Sequence, residues 1–173
     1  MKTKSLADRP LVALTAALSL AALPALAQEA DRTTLTVDDE EIVIDFKPTN
    51  CSPGLECPYF ALSCGGYGLR MFVHNLDGTH IERWAVNSAA AELVIADALY
   101  LFPPYRMTQN EDRNWVVRLD PPEDPIALLQ AFYAGSDILL GTPFYTFEVI
   151  PTETDLENMA AFAVGCIGEA AAG

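Results

Sequence analysis

The stretch YFALSCGGYGLRMFVHNLDGTHIERWAV, from Tyr59 to Val86, decides the fold class. Tyr59 to Cys64 reads as a strand ended by Gly65-Gly66. Gly68 to Leu76 reads as another, with Leu69, Met71 and Val73 on one face and Arg70, Phe72 and His74 on the opposite one. Asp77-Gly78 then reads as a two-residue hairpin turn in which glycine supplies the positive φ, sending the chain back along Thr79 to Val86. The register that follows sets Leu76 opposite Thr79, His74 opposite Ile81, Phe72 opposite Arg83 and Met71 opposite Trp84. Leu69, Met71, Val73, Trp84 and Val86 would then face the core, and Arg70, Phe72, His74 and Arg83 would share the outer side.

Upstream, Glu41 to Phe46 alternates as a half-buried strand does, with Ile42, Ile44 and Phe46 on one face. A proline-rich loop from Lys47 to Pro58 carries Cys51 and Cys57. Residues 28–40 are polar and acidic and read as a flexible lead-in. Before them, Lys2, Lys4 and Arg9 precede an apolar run from Leu11 to Leu23 and the small-residue site Ala25-Leu26-Ala27. That is the layout of a secretory signal peptide over residues 1–27, and it is too short for a comfortable membrane span. A single domain is expected over residues 41–173.

Downstream, short apolar stretches at Leu93 to Ala96 and Leu99 to Phe102 precede a Pro103-Pro104 break, and Asn114 to Leu119 is a strand with Trp115, Val117 and Leu119 facing alike. Asp124-Pro125 reads as a helix N-cap and first position, with Gly135 as the stop. Strands follow at Asp137 to Leu140 and Phe144 to Ile150. Thr154 and Glu157 have the spacing of a capping box, and the helix they open aligns Leu156, Met159, Ala160, Ala163, Cys166, Ile167 and Ala170. The expectation is an α+β domain, an antiparallel sheet of about six to eight short strands covered by two helices.

The chain has 10 Lys/Arg against 24 Asp/Glu and a net charge of −14; loss of residues 1–27, which hold three basic residues and one acid, makes it −16. Such a surface repels nucleic acid and anionic lipid and steers in a basic partner. Four cysteines in an oxidising compartment read as two disulfides. Three pairings exist and spacing does not choose among them. The preferred one joins Cys51 to Cys57 across Ser52-Pro53-Gly54 and Cys64 to Cys166, leaving no thiol for redox or zinc chemistry.

No catalytic residue, metal or cofactor is assigned. His74 and His80 fall on opposite faces of the expected hairpin, no GxSxG elbow occurs, and Gly65-Gly66-Tyr67-Gly68 lacks the Lys-Ser/Thr of a phosphate loop. Asp38-Asp39-Glu40-Glu41 lacks the alternating ligands and central glycine of a calcium loop. One patch carries a binding expectation: Arg70, Phe72, His74 and Arg83, cationic and aromatic in an acidic protein, suit an anion or a partner surface.

The order of features also carries a resemblance. FALSCGG, LRMFV, NWVVRL, the helix DPIALLQAFYAG and the terminal MAAFAVGC resemble small periplasmic proteins of proteobacteria related to invasion-associated locus B and to accessory proteins of type VI secretion. The resemblance spans roughly Tyr59 to Cys166 and implies a non-enzymatic envelope protein with a Cys64–Cys166 bridge. The expected function is therefore a periplasmic binding or envelope and secretion accessory protein whose partner is another envelope or secreted protein. The alternatives are an acidic inhibitor of a basic secreted hydrolase such as lysozyme, and a hydrolase working through carboxylates. Oligomeric state is not legible.

Overall fold

A computed structural model describes residues 30–51, 57–87, 90–111 and 113–172, so the signal-like segment lies outside the described residues. The chain is α+β and antiparallel, as expected, but among the described residues ten strands divide between two sheets and the helices number three. The strands are β1 (Thr33–Val37), β2 (Glu41–Phe46), β3 (Tyr59–Gly65), β4 (Gly68–Leu76), β5 (Ala91–Ile95), β6 (Ala98–Phe102), β7 (Pro104–Gln109), β8 (Trp115–Leu119), β9 (Ile138–Gly141) and β10 (Thr146–Val149). The helices are α1 (Gly78–Asn87), α2 (Pro125–Ala134) and α3 (Glu153–Ala172). The larger sheet runs β1-β2-β3-β4-β8-β7 and the smaller β10-β9-β5-β6.

The hairpin expected at Asp77-Gly78 is not there; α1 begins at Gly78 instead. The physical reason lies in how Asp77 and His80 serve each other. The Asp77 carboxylate accepts the His80 amide at 2.9 Å, and His80 Nδ1 accepts the Asp77 amide at 3.3 Å, a reciprocal helix cap. Trp84, fully buried, anchors the helix further along. The strand edge that the hairpin would have filled is taken by β8, which sets Met71 opposite Leu119 and Phe72 opposite Arg118. An arginine does stand across from Phe72, but it is not Arg83.

Residues 28–40 are likewise more than a lead-in, because β1 pairs with β2 from Thr33–Phe46 to Val37–Ile42. The Pro103-Pro104 break opens into β7, with Pro104 at the first position of an edge strand, where a missing amide costs no ladder bond. The turn between β5 and β6 places Ala96 and Asp97 at φ 49° and 65°, the paired positive values of a tight hairpin, at an alanine that gives no sequence signal for them.

One core lies between the layers. Phe60 of the large sheet meets Phe147 of the small one edge-on at 5.9 Å, while Phe46, stacked on Phe60 at 4.6 Å, reaches Phe132 of α2 at 5.6 Å. Phe132 in turn meets Phe162 of α3 at 6.5 Å. The buried face of α3 is Asp155, Met159, Phe162, Ala163 and Cys166; Leu156 and Ile167, expected on it, are exposed. The cap of that helix is Thr152 with Asp155 rather than Thr154 with Glu157. Both expected disulfides form, Cys51–Cys57 with Cα atoms 6.0 Å apart and Cys64–Cys166 with Cα atoms 5.5 Å apart. Gly165 lets α3 approach β2, since a Cβ there would collide with the end of Ile42.

Candidate functional site

The large sheet buries one face; the other, open at Thr34, Thr36 and Arg106 and half-buried at Arg70, Phe72, His74 and Arg118, has the small Ala61 and Ser63 buried within it. Its register makes the open face explicit, since directly paired residues share a side. One row runs Thr34, Asp45, Ala61, Phe72, Arg118, Arg106 from β1 to β7, and the next includes Val43, Ser63 and Arg70. Three of the seven basic residues beyond position 27 therefore sit on one sheet face. Arg70 and Arg118 are half-buried and Arg106 is exposed.

Two tyrosines stack on the half-buried arginines. The Arg70 guanidinium lies 4.5 Å over the Tyr67 ring, and that of Arg118 lies 4.5 Å over the Tyr105 ring. Stacking of this kind attracts the planar group weakly and leaves its charge unneutralised. Among the described residues neither guanidinium has a carboxylate within 4.0 Å. Among the described residues the Nε atoms of both, shielded from solvent, lack a hydrogen-bond partner, as does the Oγ of Ser63 between β2 and Arg70. Ser63 is only 2% exposed. Orphaned polar atoms are uncommon in folded chains, and three on one sheet face mark it out.

His74 stacks on Tyr59 at 4.7 Å and leans on Phe72 at 6.0 Å. Burial pushes its pKa down from 6.5 to about 4, so at neutral pH it is an uncharged ring. Burial raises the Asp45 carboxyl above its ordinary value, with Lys47 opposing, and burial together with the Asp45 charge raises Tyr59. The face thus grades from carboxylates on β2 to guanidiniums on β8 and β7, with an aromatic strip of Tyr59, His74 and Phe72 between. Such a surface can grip a carboxylate or phosphate bidentately and cover a flat or apolar group beside it.

Of the expected patch, Arg70, Phe72 and His74 come together on β4, while Arg83 belongs to α1 and not to the sheet. Arg118, Arg106, Tyr67 and Tyr105 complete the site and were missed. A signal for Arg118 existed: with Val117 and Leu119 facing the core, the residue between them faces out. What the sequence does not say is that β8 lies beside β4.

At the tip of the β3–β4 turn a cleft of about 700 Å³ is bordered by Asp39, Glu40, Glu41, Tyr67 and Arg70. The carboxyls with displaced pKa values, Asp45 and Asp155, are not among its walls. Asp38 is spent on the turn itself, accepting the amides of Glu40 and Glu41 at 2.9 and 2.7 Å. Among the described residues no group of three His, Cys, Asp or Glu could hold a metal ion, and no helix is long and apolar enough to cross a membrane.

The fold and this surface define a two-sheet, disulfide-stapled α+β domain with a cationic and aromatic open face. No family model, curated protein or solved structure matches the chain.

Proposed function

We propose that this chain is an exported binding protein of the bacterial envelope, an assembly or secretion accessory without catalysis, that takes an acidic segment of a partner on the open face of its large sheet. The observation that carries this reading is the pair Arg70 and Arg118 flanking Phe72. In a chain with 24 Asp/Glu, both guanidiniums are stacked on tyrosine rings and neither is matched by a carboxylate within the described residues. Two disulfides suit an oxidising compartment, in keeping with the signal-like first 27 residues. The net negative charge repels an acidic partner at long range, so affinity has to come from bidentate contacts at close range, and these favour a partner that places its carboxylates correctly.

The test is titration of the disulfide-bonded chain with acetyl-Glu-Leu-Glu-Phe-Glu-amide, followed by NMR. Shifts should map to β4, β8 and Tyr105, and Arg70→Gln with Arg118→Gln should weaken binding by about tenfold or more. Unchanged binding in the double variant, or shifts confined to the opposite side of the molecule, would refute the reading.

A further inference from the structure

The smaller sheet has an open face of the opposite character. Leu99 and Leu101 of β6 are 56% and 49% exposed, and Leu139 of β9 is 43% exposed. Val94 of β5 pairs with both Leu99 and Leu139, so the four residues form one apolar band across three strands. Glu92 faces out beside Leu101, and Glu148 faces out beside Leu139. Asp97 and Asp137 stand at the strand ends. The four strands contain no Lys or Arg, and among the described residues none of these acids is in an ion pair.

The two edges of this sheet are treated differently. Along β10 the edge is occupied: the Thr49 amide donates to the Glu148 carbonyl at 2.7 Å, and the Ile150 amide donates to Thr49 Oγ1 at 3.0 Å. Along β6 no described backbone or side-chain group outside β5 bonds the main chain of Ala98–Phe102. A groove of about 510 Å³ runs beside it, walled by Leu99, Leu101, Pro103, Pro121, Pro122 and Glu123. Native sheets commonly protect such an edge with a lysine, a bulge or a cover, and β6 has an apolar side and a free ladder instead.

We infer that β6 is a docking edge for an extended, basic segment of a partner protein, which adds to the small sheet as a fifth strand. Its main chain would complete the ladder of β6, its apolar side chains would lie beside Leu99 and Leu101, and its alternate Lys or Arg side chains, on the opposite side with Tyr100, would meet Glu123 and Asp124. A second copy of this chain is the wrong occupant, because it would bring the same carboxylates against themselves in a protein of net charge −14. The inference is independent of the arginine face, which lies on the other sheet.

The probe is acetyl-(Lys-Val)4-amide, with the block peptide Lys4Val4 as a control of identical charge and composition. The alternating peptide should slow amide hydrogen exchange along residues 98–102 and bind about tenfold tighter than the block peptide. Leu99→Ser with Leu101→Ser should lower its affinity by about tenfold, and Glu123→Gln, at an exposed site that leaves packing untouched, should lower it by a smaller factor. Arg70→Gln with Arg118→Gln should leave it unchanged, which separates this surface from the one proposed above. Equal binding of the two peptides, indifference to both the leucine and the Glu123 variants, or protection appearing away from β6 would overturn the inference. So would a dimer joined through β6 in the absence of peptide, seen by sedimentation.

Discussion

The carboxylate of Asp155 on α3 is bonded to Thr33 of β1: Oδ1 accepts the Thr33 amide at 2.6 Å and the Thr33 hydroxyl at 2.7 Å. It also accepts the Arg32 amide at 2.8 Å, while Oδ2 accepts the amide and hydroxyl of Thr152 at 2.9 Å each. One fully buried acid therefore caps its own helix and fastens the outermost strand of the large sheet to it. Burial alone would raise its pKa, but the bonds from Thr152, Thr33 and Arg32 together outweigh burial and bring it below the ordinary carboxylate value.

Asp155→Ala leaves those donors without an acceptor and should cost about 3 kcal/mol or more. Because the folded pKa is depressed, the stabilisation is present above the unfolded value of about 3.9 and is lost as pH falls through the folded one. Urea unfolding of the parent and the variant should therefore differ widely at neutral pH and converge in strong acid. A constant difference at both would disprove the linkage.

His74 gives a second pH dependence in a different window. Its folded pKa is about 4 against 6.5 unfolded, so between those values the unfolded chain holds more protons and stability rises with pH. The slope attributable to this one group approaches about 1.4 kcal/mol per pH unit at most. His74→Phe keeps a ring against Tyr59 and should flatten the stability profile across that window, measured by denaturant titration. A profile of unaltered slope would place the dependence elsewhere.

The two disulfides should differ in worth. In the chain-entropy model the 102-residue separation of Cys64 and Cys166 contributes about 4.7 kcal/mol, and the 6-residue separation of Cys51 and Cys57 about 2.2 kcal/mol. Paired serine substitutions compared by chemical unfolding should reproduce that order. Greater loss from the short loop would show that native-state packing, not loop closure, governs both.

Gly78 separates a helix start from a hairpin turn. It lies in α1 without a positive φ, and a Cβ added there would meet no heavy atom within 4 Å, so Gly78→Ala should stabilise the chain by up to about 1 kcal/mol. In a two-residue hairpin the same change would be destabilising. The thermal midpoint of the variant decides between them.

Where a signal was local, it was legible. β2 and β4 run over the residues that alternation marked, and α2 runs from the proline after Asp124, whose side chain accepts the Ala127 amide at 2.9 Å, to Gly135 at φ 70°. Both disulfides match the preferred pairing. Less than half of the candidate surface was legible for the same reason: Arg70, Phe72 and His74 are fixed on one side of β4 by period alone. Asp77-Gly78 misled because Asp followed by Gly suits a helix cap as well as a turn, and only Trp84 finding the core chooses between them.

By itself the sequence determined the local elements, the faces they present, the acidic balance and a cysteine set that can be fully paired, since all of these follow from residues a few positions apart or from composition. The tertiary structure decided which edges meet. It put β8 against β4 and so brought Arg118 to Phe72, divided the strands into two sheets, and left the outer edge of β6 open among the described residues while Thr49 closed β10. The physical reason is that a strand's pattern specifies which side is buried but not which neighbour buries it. That choice is made by the packing of a core whose members are far apart in the chain.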